Sequence, residues 1–497
     1  MIYYVVFVIS LVTLCFHYTY GVKLTKKVGI IGGGPAGLAA AVMIAKKYPN
    51  YDITVYDRLS PPPSSDSIEW ENSERSYTIG LNGRGQNALK KLGLMKRIDD
   101  VSVKVYGRLD WSPGTPIDQP NESIFTDKSY DTKVLQRDRI VSCILEEIAE
   151  EFSDRIKIKH NIRCTNIDWD NTDTNEEKAH LSFLDADNTN DNYNNSHNNG
   201  GVNNVKESFD LVLGCDGAAS AIRDILEELD ILQVKRYKDT NIRVYKTLPI
   251  RIPSTSTWRK DLNLSCRTKD DINLDALPTK EGFHLGVILF RPDDERVLNL
   301  KNGADARAFF EKYLPQFSPL IDDKDLDVFA KKPISKLPRF LYTGPVLHKG
   351  RSTVLLGDAI HCVKPYFGQG VNSAFEDVIY LQQALEKTED IGESLQYYSE
   401  RRAIDAKSLV TLSHRLDGGF LTFILPIIID AYMSKTFPKF FTRNVIALLQ
   451  DEKRTFTDVL KRKRAERIVQ SIMAIGVVTA SGVSLKFLFK LLRSVLI

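Results

Sequence analysis

The stretch Val28–Arg58, VGIIGGGPAGLAAAVMIAKKYPNYDITVYDR, constrains this chain more than any other. Val28-Gly29-Ile30-Ile31 has the length and branching of a buried parallel strand. Gly32, Gly34 and Gly37 follow at G-x-G-x-x-G spacing, then an alanine-rich helix, then a second strand, Ile53-Thr54-Val55-Tyr56, closed by Asp57. An acid at that place is where a βαβ unit meets ribose hydroxyls. The arrangement predicts dinucleotide binding. A pyrophosphate would rest on the helix start at Pro35-Ala36-Gly37, the glycines letting the backbone approach it closely.

Two later segments share this strand–loop–helix logic. In VLLGDAIHCVKPYFGQGVNSAFED, residues 354–377, the apolar run Val354-Leu355-Leu356 reads as a buried strand ending at Gly357-Asp358. A turn-rich loop, Pro365 to Gly370, then leads into an amphipathic helix from about Asn372. A strand that delivers a carboxylate, followed by backbone N–H groups at a helix start, suits a polyhydroxyl chain and an anionic ring edge. In DLVLGCDGAASAIRD, Asp210–Asp224, another apolar strand is followed by Gly214, Asp216-Gly217, Ser220 and Arg223.

The three segments in this order resemble the single-component FAD-dependent aromatic monooxygenases, which have the p-hydroxybenzoate hydroxylase-like fold. The FAD domain of that family carries a GxGxxG, a DG and a GD motif in succession. The resemblance runs from about Val28 to Leu385, with one insertion. Within the family the chain is most similar to the kynurenine 3-monooxygenases. RSYTIGLNGRGQNALKKLGL (Arg75–Leu94), PYFGQGVNSAFED and FFEKYLPQFSPLI (Phe309–Ile321) carry that likeness.

The resemblance implies noncovalent FAD, NADPH or NADH as a transient reductant, and O2. It also implies a small aromatic substrate hydroxylated through a flavin C4a-hydroperoxide. A second dinucleotide fingerprint for the nicotinamide is not found, as expected of a reductant that docks and leaves. The reactive oxygen belongs to the flavin, so no acid–base residue and no metal is assigned.

On the cofactor side, the implied ligands are Asp57 at the adenosine ribose with Arg58 beside it, and Arg137 across the pyrophosphate and ribityl chain. Asp216 and Gly217 are implicated with both cofactors, and Asp358 with ribityl hydroxyls. Gly368, Gln369, Gly370, Val371 and Asn372 border the flavin pyrimidine edge, where backbone N–H groups would stabilise charge on the reduced ring. On the substrate side, Arg84 aligns with an arginine that clamps an amino-acid carboxylate through a bidentate fork. Asn372 is either a substrate contact or a helix N-cap. Pro365, Tyr366 and Phe367 would wall the reacting ring.

Two departures bear on the substrate. Gly83 precedes Arg84 where the kynurenine enzymes have histidine, and SLVTLSHRLDGG offers His414 and Arg415 but no tyrosine where those enzymes contact the same carboxylate. Either the acid is held differently or the substrate is another aromatic or a polyprenylated ring. The alternatives are an FAD monooxygenase of a quinone-ring or isoprenoid substrate and, further off, an isoprenoid-chain flavin reductase.

The expected architecture is α/β: a Rossmann-like FAD domain (28–97, 134–224, 351–412) interleaved with a β-sheet substrate domain (98–133, 225–350). Candidate strands in the latter are Arg243-Val244-Tyr245 and His284–Leu289. Residues 185–204, rich in Asn, Asp, Gly and Ser, are expected to be a disordered insertion in a hairpin turn. A helical region follows at 413–467.

The ends of the chain point to membranes. Residues 1–21 read as a signal peptide or an N-terminal anchor. Ile468–Leu485 is free of charges, and Lys486, Lys490 and Arg493 then alternate with Phe and Leu. Residues 468–497 are therefore expected to be a membrane-associating tail. The expected location is the endoplasmic reticulum or outer mitochondrial membrane with the catalytic body cytosolic, and secretory entry stays open. A formal net charge of +3 over 497 residues gives no basis for nucleic-acid binding. The six cysteines lack metal spacing and read as buried thiols.

Overall fold

A computed structural model of the protein describes residues 26–72, 77–126, 129–170, 177–185, 205–418 and 420–481. The chain opens with β1 (Lys27–Ile31), α1 (Pro35–Lys47) and β2 (Asp52–Tyr56). Next come α2 (Gly83–Leu92), α3 (Arg137–Glu151), β3 (Leu211–Gly214) and α4 (Ala221–Glu228). β4 (Thr353–Leu355), α5 (Gly370–Lys387), α6 (Ile391–Arg415), α7 (Leu425–Thr436) and α8 (Phe456–Ser481) complete the framework.

One sheet orders β4, β3, β1 and β2 side by side, between His348–Lys349 at one edge and Ile156–Lys159 at the other. Its internal pairs are parallel, and only the His348–Lys349 edge runs antiparallel. Gly214 pairs with Ile31 and Leu355, so the three motifs leave neighbouring strands at one end of the sheet. Ligands bind at the carboxyl ends of such strands. Leu38 to Ala45 on α1 are all buried, Leu38 completely. A helix apolar on every side belongs inside, and its alanines let it lie close to the sheet.

A seven-stranded sheet lies beside this layer. Val244–Ile250 and His284–Phe290 pair antiparallel within it, as read from the sequence. Helices Gly303–Tyr313 and Asp323–Lys331 close one face with Phe310, Phe317 and Phe329 fully buried. His284 is buried in this sheet and its Nε2–H donates to Leu262 O at 2.9 Å, while Nδ1 has no partner. Burial pushes its pKa down to about 4.

Ala179–Asp185 and Val205–Phe209 pair as the flanks of an antiparallel hairpin; residues 186–204 between them lie outside the described residues. So do residues 1–25, Arg75 and residues 482–497. No described helix is long and apolar enough to cross a membrane. Ile468–Ser481 forms the second half of α8. The basic cluster in the first half faces acids: Lys463 and Arg467 reach the buried Asp430 on α7 at 3.0 and 2.9 Å, and Arg462 pairs with Glu466 at 2.8 Å.

Candidate functional site

The glycine loop shows why glycines stand where they do. Gly32 has φ +103°, and a Cβ added there would lie 2.3 Å from Cys215 O. A Cβ on Gly37 would lie 2.0 Å from Gly32 O. These two glycines are fixed by packing against β3 and within the loop. Gly34 differs: its Cβ would meet only Arg137 Nη2, at 3.4 Å. Gly34 sits at the N-cap of α1, which begins with Pro35 and carries no acid in its first turn. The N–H groups and positive end of α1 therefore face an approach suited to a phosphate. Ala36 of that first turn is buried beneath the loop.

Asp57, at the end of β2, accepts from Gly33 N and Leu59 N, each at 2.7 Å. Its orientation is thus set by backbone, and its remaining lone pairs suit ribose hydroxyls. Arg58 is exposed. Arg137 opens α3, bonds to Asp138 at 2.6 Å and lies over Gly34.

After β3, Asp216 Oδ2 accepts from Ala221 N at 2.7 Å, which caps α4, while Oδ1 is buried without a partner. Burial raises its carboxyl, opposed by the Ser220 hydroxyl. Gly217 takes φ +81°. After β4, Asp358 receives no hydrogen bond from the described residues. Burial raises its carboxyl, and the charges of His361 and Arg137 oppose the rise. A Cβ on Gly357 would lie 3.5 Å from Ala36 Cβ, and one on Gly370 3.8 Å from Asp358 Oδ1. The GD turn thus abuts the first helix, and the GQG loop abuts the GD turn.

Pro365–Phe367 forms a short turn that ends on Gly368 at φ +61°. Gln369 is buried, and Gly370 and Val371 begin α5, again with no acid in its first turn. Burial raises the Tyr366 phenol, with Asp417 adding to the shift. The side chain of Phe367 lies outside the described residues.

A buried ionic network under the GD turn was not legible in the sequence. Asp377 accepts from Gly357 N at 2.6 Å, from His361 Nε2 at 2.8 Å and from Arg402 Nε. Arg402 continues to Asp405 at 3.0 Å and to Ser373 O at 2.9 Å. Burial alone would raise the Asp377 carboxyl; Arg402 and His361 hold it below the usual range. Lys364, just before the ring-wall turn, donates to Asp239, Asn241 O and Asp417, each at 2.8 Å.

Of the substrate-side residues, Asn372 bonds to the GQG loop of this cradle, and Arg84 bonds to the segment 449–454 and to α5. Arg84 is buried and donates to Leu449 O, Arg454 O and Glu376. Asn372 accepts from Asn82 N at 3.1 Å and donates to Gly80 O at 2.9 Å and Gly368 O at 2.5 Å. Its side chain ties the end of Thr78–Leu81 to the GQG loop and does not cap α5.

The cradle fits FAD on its own evidence. Gly34 leaves room where Gly32 and Gly37 do not, Asp216 keeps an orphaned oxygen, and Asp358 presents an open carboxylate. Comparison with known proteins agrees. Residues 170–413 match the family described as FAD binding domain. The chain is 28% identical over 400 residues to kynurenine 3-monooxygenase of Drosophila willistoni, covering 80% of this chain and 79% of that protein. It is 28% identical over 368 residues to the enzyme of the same name from Dictyostelium discoideum, covering 73% and 71%. Among solved structures, a substituted form of 2-methyl-3-hydroxypyridine-5-carboxylic acid oxygenase superposes with a TM-score of 0.57 at 16% identity. It covers 83% of this chain and 93% of its own. PqsL of P. aeruginosa, in complex with 2-aminobenzoylacetate, gives 0.56 at 16%, covering 79% and 96%. By these likenesses the chain carries an FAD binding domain, has the fold of the FAD-dependent monooxygenases and is an oxidoreductase of that kind.

Proposed function

We propose that the protein is an aromatic ring hydroxylase of the kynurenine 3-monooxygenase type, consuming NADPH and O2. The carrying observation is the convergence of the glycine loop, the DG turn and the GD turn on the ends of adjacent parallel strands. The named relatives, alike across most of their length, supply the substrate class. In balance, NADPH, a proton, O2 and an arene give NADP+, water and the hydroxyarene. FAD, when bound, supplies the electron transfer and oxygen chemistry.

The chain's own residues bind and orient. Asp57 would take the adenosine ribose, Gly34 and the start of α1 the pyrophosphate, and Arg137 the phosphate charge. Asp358 and Asp216 would accept from hydroxyls of the cofactor. N–H groups at Gly370 and Val371, at the positive end of α5, favour negative charge on a ring edge placed there. The Pro365–Gln369 turn, in which Gln369 is buried and Pro365 exposed, is held by Lys364 on one side and Asn372 on the other and would border that face. NADPH oxidation by the FAD-loaded protein should accelerate with kynurenine and yield the ring-hydroxylated product. A rate unmoved by kynurenine but raised by a quinone-type ring would shift the substrate to the second class.

Membrane association through residues 468–497 is part of the same proposal. It is supported by exposed Ile468, Val469, Ile472 and Met473 on α8, with Ile424, Ile428 and Tyr432 at the adjoining α7. Truncation at Ile468 should move the protein from a detergent-requiring fraction to a soluble one with flavin content intact. Loss of FAD on truncation would make the tail part of the folded core.

A further inference from the structure

Residues Ala359 to Lys364 are all buried, and the last of them is a lysine. An ammonium carries three N–H groups, and burying any of them without an acceptor is costly. Lys364 Nζ donates to three acceptors, each at 2.8 Å: Asp239 Oδ1, Asn241 O and Asp417 Oδ2. The acceptors are in turn tied together. Asn241 N donates to Asp239 Oδ1 at 3.0 Å, and Asn241 Nδ2 donates to Asp417 Oδ1 at 3.2 Å. Arg243 Nε then donates to Asn241 Oδ1 at 3.2 Å. The Lys364 and Asp417 side chains are 1% and 5% exposed, so water competes little for these bonds.

The three acceptors come from two distant places in the chain. Asp239 and Asn241 lie in the segment 237–243, where the chain passes from the strand Val234–Arg236 into the seven-stranded sheet at Val244. Asp417 lies just beyond the end of α6. Lys364 itself immediately precedes the Pro365–Phe367 turn. That turn runs on to Gly370, where a Cβ would lie 3.8 Å from Asp358 Oδ1, so it borders the cofactor cradle. The Phe340 and Tyr366 rings flank the ammonium, at 5.6 and 5.9 Å from Nζ. The tripod thus fixes one end of the turn, while Asn372 holds Gly368 O at the other.

We infer that Lys364 is a positioning residue whose ammonium tripod locks the Pro365–Phe367 turn to the 237–243 crossing and the end of α6, and thereby sets where the substrate ring rests against that turn. The first clause stands on geometry alone; the second rests on the monooxygenase reading. Two carboxylates face this one ammonium, so deleting its charge leaves both acids beside the turn without their cation.

The test uses the full-length, FAD-loaded protein. Amide hydrogen exchange is compared between wild type, Lys364→Met, Lys364→Arg and Asp239→Asn. In Lys364→Met, exchange should rise together at 237–243 and 366–369, by about tenfold or more. Arginine keeps the charge but presents a flat fork in place of three diverging N–H groups, so Lys364→Arg should show a smaller rise in the same two segments. Asp239→Asn, which weakens one leg of the tripod, should show the smallest. Wild-type exchange at 366–369 in both Lys364→Arg and Asp239→Asn would overturn the lock, even if Lys364→Met fails to fold.

The second arm follows kynurenine binding by flavin absorbance, together with the hydroxylated product formed per NADPH. In Lys364→Arg the dissociation constant should rise about tenfold. With the ring held less firmly, part of the NADPH, with a proton and O2, should go to NADP+ and hydrogen peroxide instead of product and water. FAD affinity should stay within about twofold, because the tripod uses none of the groups at the strand ends. A loosened turn with a wild-type dissociation constant and product ratio would overturn the second clause. Loosening of both segments with no response to kynurenine even in the wild type would sustain the lock and instead remove kynurenine as the substrate class.

Discussion

At the strand ends, polar groups are held in place but left open; at the Arg84 corner each guanidinium nitrogen meets a protein acceptor, while Glu376 Oε2 and Asn82 Nδ2 stay unpartnered. Asp358 and Asp216 each point a carboxylate oxygen at no protein donor, and Gly34 keeps its approach clear. Arg84 and Asn372, by contrast, meet carbonyls, a carboxylate and an amide at hydrogen-bonding distance. Burying an unpaired polar group costs free energy, so the fold tolerates it where a ligand completes the bonds. At the strand ends the open groups lie where the three motifs meet, and there they mark the ligand.

The largest expected effect is at Gly34. Gly34→Val places a branched side chain where the backbone must approach a pyrophosphate, against Arg137 Nη2. Flavin absorbance of the purified variant should be lost; wild-type FAD retention would show that the open face of α1 is not the phosphate site.

Arg402→Met probes the engaged class. It leaves the fully buried Asp377 without its cation, and the cost should be about 3–5 kcal/mol in denaturant unfolding. A loss below about 1 kcal/mol would mean that the network is not holding the GD turn.

Acid should separate the two sheets. His284 stays neutral in the folded sheet down to about pH 4, whereas the unfolded chain protonates it from about pH 6.5. The unfolded state therefore binds the proton first, and stability falls as pH drops through that window, by about 3 kcal/mol in all. His284→Leu should flatten this part of the stability–pH curve; an unchanged curve would remove His284 as its cause.

The smallest effect distinguishes the open class most sharply. Asp358→Asn should weaken FAD by about tenfold to a hundredfold through one lost charge-assisted bond. Stability without FAD should hold or rise, because burial already disfavours the Asp358 charge. A variant that loses stability and keeps FAD affinity would move Asp358 into the engaged class.

The same division explains what could be read from the sequence. Each cofactor motif is a strand, a turn and a helix start within a few residues, so Gly32, Asp57, Asp216 and Asp358 announce themselves locally. Parallel pairing then brings them together. Arg84 looks the same in sequence whether it meets a ligand or Leu449, a partner 365 positions away. Its resemblance to a carboxylate-binding arginine carries no information about that carbonyl. Lys364 with Asp417, and Asp377 with Arg402, depend on helices whose placement no local pattern fixes. The basic run Lys461–Arg464 misleads in the same manner. Nothing in the run names its partner, yet Lys463 is buried against Asp430, an acid at the end of the apolar run FILPIIID.

The central claim, that the open groups at the strand ends are a noncovalent FAD site, is tested most directly by the flavin content of the purified full-length protein. The account predicts a yellow protein with stoichiometric FAD, all of it released into the supernatant on acid precipitation. A protein that carries no FAD and takes up none when it is added, or flavin that stays in the pellet, would contradict it.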